Sequence, residues 1–380
     1  MKITDIQTLC LSRAHEPERQ WFTASYRTLK ADCAIVVIDT DGGIRGIGEA
    51  CAYGVPPKIR DEVARMAPGL IGRDPTDPET APKPTGERPA DTAVAGIDAA
   101  LWDLRGKAAG KRVSELLTEK PLARVRLYAS SGCRYDWEDN PESVVDEAVG
   151  YADGGYTAYK MRIGTEWAWA GVTVERFLGL VRKVTDAVGG RMDLMLDGNQ
   201  RLTEAQALAI ARGLDDMGWA WFEEPIPQRD TEAYARLNAA VDIPVTGGEQ
   251  YTALEKFEPY LARKAYAIVQ PDAGCCGITE AMRIARRAHA FGVGLCPHNW
   301  HNGLMAMANG HLVAALPEPK VLELCMIQAP LQWEILKEKP AIEGGYLTLP
   351  DAPGLGVDLA DDLEARFPYI EGHYGIRVER

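Results

Sequence analysis

The sequence predicts an α/β protein: a parallel barrel of the (β/α)8 type, with a smaller α+β unit in front of it. Two observations carry this. After about residue 123, eight short apolar strands alternate with amphipathic helices, the pattern of strand–crossover–strand units. Over the first ~120 residues the order is different, strands first and then helices. An open doubly wound sheet is the alternative for the second region, but no GxGxxG stretch joins a first strand to a helix there. The organisation read from the chain is residues 1–122 as the α+β unit, 123–344 as the barrel, and about 345–380 returning to the first unit. A chain of 380 residues has the length for two such units.

In order along the chain, ADCAIVVIDTDGGIRGIGEA has two apolar runs around an Asp-Gly-Gly turn, a hairpin signal. GRDPTDPETAPKPTGERPADT is rich in Pro and polar residues and reads as an exposed loop. VAGIDAALWDLRGKAAGKRV then has apolar residues at helical spacing and glycines near its end. The eight barrel strands are read at Arg126–Ser131, Tyr156–Ile163, Met192–Asn199, Ala220–Pro225, Pro244–Glu249, Ala267–Ala273, Gly294–His298 and Val321–Cys325. Helical patterns such as LTEAQALAIARGLDDMG and GITEAMRIARRAHAFG lie between them. From Pro340 onward, EGGYLTLPDAPGLGVDL is turn-rich again.

Composition narrows the function classes. A formal net charge of −13 gives a field that repels nucleic acid and anionic membranes. No run approaches the ~20 apolar residues of a membrane span, and the start carries charges inside every candidate export segment. A cytoplasmic protein with reduced cysteines is expected. The eight cysteines sit mostly in apolar runs, without paired CxxC spacing, and the vicinal Cys275-Cys276 fits a glycine-flanked turn.

The chemistry lies where acids meet strand ends. Asp197 in LMLDGNQ, Glu223 in WFEEP and Glu249 in VTGGEQ each end a separate predicted strand, 26 residues apart in both steps. Any one alone would read as a helix cap or a surface charge. Three converging carboxylates repel one another unless a cation neutralises them, and hard oxygen donors suit Mg²⁺ better than zinc. Asp272 in VQPDAG and His298 in LCPHNW end the next two strands, and an Asp that fixes a histidine tautomer makes a general base. His15, His289, His311 and His373 read as packed or solvated residues; His301 shares the loop after His298 and is left open. Lys160 and Arg162 in YKMRIG share a strand face, where they bind substrate or form ion pairs with these acids. Glu323 in VLELC is flanked by apolar residues, so burial is expected to raise its pKa and keep it protonated as a donor.

Taken together, AGIDAALWDLRGKAAG, YKMR, LDGNQ, FEEP, GGEQ, QPDAGCCGIT, CPHNW and LELC, in this order over nearly the whole chain, resemble the mandelate racemase subgroup of the enolase superfamily, rich in acid-sugar dehydratases. The resemblance implies a (β/α)7β TIM-type barrel under an α+β capping domain. It implies Asp197, Glu223 and Glu249 as Mg²⁺ ligands, Asp272 and His298 as the base dyad, Lys160 beside the substrate carboxylate, and Glu323 as donor to an enediolate. It also implies a homo-oligomer, dimer or octamer. Asn199, beside Asp197, and Tyr128, at the first strand end, are substrate-contact candidates, with Trp300 and Asn302 in the loop after His298. In the first unit, Trp21, Tyr26, Arg27 and the loop Lys83–Arg88 are candidates for specificity.

The pattern departs from the racemase at one position. That family carries Lys-x-Lys on the second strand, and here the second member is Arg162. A guanidinium with pKa above ~12 is a poor base and a good carboxylate ligand. Two-base racemisation is thereby disfavoured, although Lys160 stays a candidate second acid/base group. The expected reaction is dehydration of a small-molecule sugar acid to a 2-keto-3-deoxy acid. The alternatives are cycloisomerisation of a sugar-acid lactone or anhydro sugar acid, then racemisation or epimerisation, and a silent binding protein, against which the full ligand and dyad set argues.

Overall fold

A computed structural model describes residues 1–22, 26–53, 55–164, 167–300, 302–317, 321–327 and 329–377. His301 and the side chain of Tyr26 lie outside the described parts.

The first unit holds β1 (Ile3–Ala14), β2 (Trp21–Phe22), β3 (Tyr26–Thr28), β4 (Lys30–Thr40) and β5 (Arg45–Ala50), with β1, β4 and β5 forming one antiparallel sheet. The Asp-Gly-Gly segment makes the β4–β5 turn, with Gly43 at φ 72°. Both faces of β4 are covered, since alternate side chains point to opposite sides. Ala34, Val36 and Ile38 face the helices Pro56–Met66 and Ala90–Ala109, while Cys33, Ile35 and Val37 pack with Leu304, Met305 and Leu331. Each buried Val or Ile contributes roughly 1.5–3 kcal/mol.

Helix Ala90–Ala109 lies directly on β5, because β5 carries glycines there. A Cβ at Gly46 would meet Ala100 O at 2.3 Å, and one at Gly48 would meet Gly96 O at 2.2 Å. Gly110, left-handed at φ 64°, ends the helix. The same helix reaches forward: Asp98 accepts from Thr279 N at 2.9 Å and Thr279 Oγ1 at 2.5 Å. The Pro-rich loop is largely exposed and tied down by Asp91, which accepts from Thr85 N, Gly86 N and Thr252 Oγ1.

All eight expected parallel strands form: β6 (Arg124–Ser130), β7 (Ala158–Arg162), β8 (Asp193–Asp197), β9 (Trp221–Glu223), β10 (Val245–Gly247), β11 (Ile268–Val269), β12 (Gly294–Leu295) and β13 (Leu322–Cys325). They neighbour one another in chain order, and β13 returns to pair with β6 in parallel. The chain is thus mixed α/β with a parallel sheet in cyclic order. Among the described residues no ladder joins β12 to β13; at that seam Cys296 Sγ donates to Val321 O at 3.0 Å. The sheet nevertheless curls strongly. Tyr128 on β6 and Trp221 on β9 have ring centroids 5.4 Å apart, whereas three strand spacings in a flat sheet span roughly 14 Å.

Local sequence fixes the crossover helices. Thr173, Thr203 and Asp230 cap the helices Val174–Val188, Glu204–Asp216 and Thr231–Ala239, Thr203 in a capping box with Gln206. Phe177, Val181, Ile210, Leu214 and Leu237 on these helices join the core that includes Leu196, Phe222 and Val245 on the strands. After the sheet, β14 (Ile342–Glu343) and β15 (Tyr346–Thr348) form a hairpin whose second strand pairs with Arg124–Arg126, so the chain stays with the parallel sheet through residue 348. Further on it pairs with the first unit, β16 (Gly375–Arg377) joining β3. All eight cysteines are buried and free, and no described helix is long and apolar enough to cross a membrane.

His311, on helix Gly303–Ala315, links the two units. Its Nδ1 accepts from Ser114 N at 3.3 Å, which puts the proton on Nε2, facing Leu355 O at 3.2 Å. Burial pushes its pKa down to about 4 from 6.5. The unfolded chain therefore takes up the proton first, so this contribution is intact above about pH 6.5 and is lost as pH falls to about 4. The full loss is on the order of 3 kcal/mol. His311→Gln should flatten the dependence of urea-unfolding stability on pH across this window, and an unchanged dependence would remove His311 as its source.

Candidate functional site

The carboxyl ends of the parallel strands gather the polar residues expected there. Register aligns Arg162 with Asp197 and Asp197 with Glu223 as the final residues of β7, β8 and β9. Glu249 lies two residues beyond β10; Asp272 and His298 each lie three residues beyond β11 and β12; Glu323 is on β13. All are buried except Glu249, which is partly exposed.

Asp272 and His298 form the expected dyad. His298 Nδ1 lies 2.7 Å from Asp272 Oδ2, so Nδ1 carries a proton and Nε2 is the working nitrogen. Nε2 points to Glu249 Oε2 at 3.4 Å. Burial opposes charge on the imidazole, but Glu249, Glu323 and the Asp272 hydrogen bond outweigh it and hold the pKa up to about 10. With Glu249 beside it, the ring is protonated at neutral pH.

Lys160 Nζ sits between Glu223 Oε1 at 2.6 Å and Glu323 Oε1 at 2.9 Å. Its ion pairs reverse the expectation for Glu323. Burial does push that carboxyl up, but Lys160, His298 and the Asn299 N–H at 2.8 Å overcome it and hold the pKa down at about 2. Glu323 is therefore an ionised partner of Lys160 rather than a protonated donor. The other acids move the opposite way. Burial raises Glu223 to about 7, Lys160 lowering it and Asp197, Glu323 and Glu249 adding to the rise. Asp197 is raised by burial against Lys160 and Arg162, and Glu224 is pushed well up by burial and by Glu249 and Asp197.

Arg162 Nε lies 3.5 Å from Asp197 Oδ2, and its guanidinium stacks 4.1 Å from the Trp300 ring centroid and 5.4 Å from that of Trp21. Trp300 and Trp21, 5.3 Å apart, thus fix this arginine. Behind them a cavity of about 60 Å³ lies between the units, lined by His15, Trp21, Glu49, Tyr53, Trp300 and Tyr374 among others. His15, expected to be packed or solvated, is buried there, and burial lowers its pKa to about 4.

Two substrate-contact candidates are engaged by neighbouring residues. Tyr128 is not at a strand end; it pairs with Glu323 in mid-strand and packs fully buried against Ala158, Met195, Trp221 and Cys296. Asn302 is engaged by Glu49, Nδ2 to Oε1 at 2.8 Å. Asn199 donates from its backbone N and Nδ2 to the two oxygens of Asp197, both at 2.8 Å, so it orients that acid. Asn199, Gln200 and Glu224 all have positive φ, at 44°, 62° and 34°. Such strain in non-glycine residues collects at functional sites.

Several contributors were not read from the sequence. Gln270 holds the second oxygen of Glu223, Nε2 to Oε2 at 2.7 Å. Asn299 and Asn309 tie the dyad to Glu323. An Asn in the largely apolar MAMANGHLVAA was a visible signal for Asn309.

As donors, Asp197, Glu223 and Glu249 have the chemistry of a hard-cation site, and their mutual repulsion contributes to the raised pKa of Glu223. As they stand each acid faces a cation, Arg162, Lys160 and His298 respectively, and among the described residues no three His, Cys, Asp or Glu side chains are grouped around one point. The excess of acids over cations nevertheless fits a divalent ion.

Comparison with known proteins gives the family. Residues 7–118 match the mandelate racemase / muconate lactonizing enzyme N-terminal domain, and residues 143–363 match the enolase C-terminal domain-like family. The chain is 33% identical to the D-galactarolactone cycloisomerase of Agrobacterium fabrum (97% of this chain, 99% of that one) and 31% identical to the arabinonate dehydratase of Saccharolobus solfataricus (86% and 88%). Among solved structures, the 3,6-anhydro-D-galactonate cycloisomerase of Zobellia galactanivorans superimposes with TM-score 0.82 at 29% identity (97% of this chain, 99% of that one). An enolase-superfamily member from Polaromonas sp. JS666 does so with TM-score 0.87 at 30% identity (98% and 99%). The chain is an enzyme of the enolase superfamily, in its mandelate racemase / muconate lactonizing enzyme group, with carbon–oxygen lyases among its relatives.

Proposed function

We propose that this chain is a Mg²⁺-dependent hydro-lyase that removes the proton α to the carboxylate of a sugar acid and expels the β-hydroxyl, giving a 2-keto-3-deoxy acid. The observation that supports the reading is the Asp272–His298 dyad, its Nε2 facing Glu249, one of three acids at the carboxyl ends of β8, β9 and β10. In this reading the eight strands make a (β/α)7β barrel from residue 123, with the hairpin through residue 348 attached to it, capped by residues 1–122 and the chain beyond 348.

Asp197, Glu223 and Glu249 would hold the metal, which when bound supplies positive charge to the substrate carboxylate as an enediolate develops. Turning Glu249 to that task takes its charge away from Nε2, the main influence holding the imidazole protonated. His298 Nε2 then accepts the α-proton, Asp272 stabilises the imidazolium, and Nε2 returns the proton to the departing β-hydroxyl, which leaves as water. The enol left behind takes a proton at C3 to become the keto acid. Lys160 and Arg162 place positive charge where negative charge grows. Arg162 has no accessible neutral form, so its position on β7 supplies no second base.

A second reading, cycloisomerisation, uses the same enediolate but expels a ring oxygen. Similarity to two cycloisomerases, of D-galactarolactone and of 3,6-anhydro-D-galactonate, favours keeping it. A library of mono- and diacid sugars, lactones and anhydro acids, incubated with Mg²⁺ and assayed with semicarbazide, separates the two. Keto-acid formation from an open-chain sugar acid, lost with EDTA and restored by Mg²⁺, is expected. Turnover of lactones or anhydro acids alone would favour the second reading, and EDTA-resistant turnover would refute the metal dependence.

A further inference from the structure

We propose that Asn309 is the positioning residue of the base dyad: through one carboxamide it sets the Asp272 carboxylate and the His298 loop relative to each other. Its role in turnover rests on the function proposed above; its effect on the dyad does not.

Asn309 lies in helix Gly303–Ala315, fully buried. Its Oδ1 accepts from Ala273 N at 3.0 Å, the first residue of the short helix that Asp272 caps. Its Nδ2 donates to Asp272 Oδ1 at 3.1 Å, to Asn299 Oδ1 at 3.1 Å and to the His298 carbonyl at 3.3 Å. One side chain therefore touches both ends of the dyad and the residue between His298 and Glu323.

The bonds divide the Asp272 carboxylate by function. Oδ1 is held by Gly274 N at 2.8 Å and by Asn309, while Oδ2 faces His298 Nδ1 at 2.7 Å. A carboxylate held at one oxygen alone can rotate about its Cβ–Cγ bond; the second donor on Oδ1 fixes the plane in which Oδ2 meets the imidazole. Asn299 extends the arrangement, its N donating to Glu323 Oε2 at 2.8 Å and its Nδ2 to Glu323 O at 2.9 Å. No other residue type does this as well at position 309. Asp would keep the acceptor for Ala273 N but place a second anion against Asp272, and Leu would leave the buried groups without partners.

The helix that carries Asn309 is anchored from the other unit. Glu49 on β5 accepts from Met305 N at 3.0 Å and from Asn302 Nδ2 at 2.8 Å, one and two turns before Asn309. The seat of the first unit thus also sets the height of Asn309.

The test uses the full chain and two variants, Asn309→Ala and Asn309→Asp. The readout independent of substrate is the downfield ¹H NMR resonance of the His298 Nδ1 proton, assigned by its loss in His298→Asn. Both variants should shift or broaden it. On a sugar acid that wild type turns over, kcat should fall roughly tenfold to hundredfold, with KM within about twofold. Asn309→Asp, close in shape and retaining the Ala273 bond, separates positioning from packing if Asn309→Ala fails to fold. A folded variant with the resonance unmoved overturns the proposal. If no sugar acid is turned over by wild type, the function proposed above fails and the resonance alone decides this one.

Discussion

His298→Asn should abolish turnover, lowering kcat by about 10³-fold or more while the protein stays folded. The base accounts for roughly 10²–10⁴-fold by itself, and the asparagine that replaces it has no nitrogen able to accept a proton. Asn keeps a donor within reach of Asp272, so the buried carboxylate retains a partner and stability should change little. Asp272→Asn should leave the imidazole present but turned or in the wrong tautomer, since the acceptor 2.7 Å from Nδ1 is then half of an amide. Measured kcat for both variants, with circular dichroism to verify folding, checks this. Near-wild-type kcat in His298→Asn would remove the histidine from the reaction.

Lys160→Met is expected to destabilise most. It leaves Glu223 and Glu323 facing each other in the interior without the ammonium 2.6 and 2.9 Å away. Removing one member of a buried ion network costs roughly 3–5 kcal/mol, because the remaining charge is uncompensated. Glu323, held at about 2 chiefly against burial by Lys160, should then rise and take a proton. Adding Glu323→Gln to Lys160→Met should recover a large part of the loss, giving a coupling of roughly 1–3 kcal/mol in urea unfolding. Strict additivity of the two substitutions would mean that the lysine does not compensate Glu323.

The backbone of the site was legible in the sequence because each acid closes an apolar run. Asp197, Glu223 and Glu249 recur at an even spacing, and both that spacing and the strand ends are local features. Asp272 and His298 were found the same way, and the structure brings them into contact. What escaped depends on partners distant in the chain. The protonation of Glu323 was judged from its apolar neighbours, whereas Lys160, 163 residues earlier, decides it. Tyr128 lies two residues before the end of β6, Arg124–Ser130, and three before the end of the strand as read, Arg126–Ser131, so it is inside the strand on both counts. Asn199 and Asn302 carry groups that suit a ligand, yet their neighbours Asp197 and Glu49 engage them. That no ladder joins β12 to β13 among the described residues was equally invisible, since apolar runs mark strands and not the hydrogen bonds between them.

The measurement that tests the central claim most directly is solvent exchange at the carbon next to the carboxylate, followed by ¹H NMR in D₂O with Mg²⁺ and a sugar acid that wild type accepts. The account predicts that wild type replaces this proton with deuterium in recovered substrate, or carries deuterium into C3 of the keto acid, and that His298→Asn does neither. Deuterium incorporation by His298→Asn at the wild-type rate would contradict it.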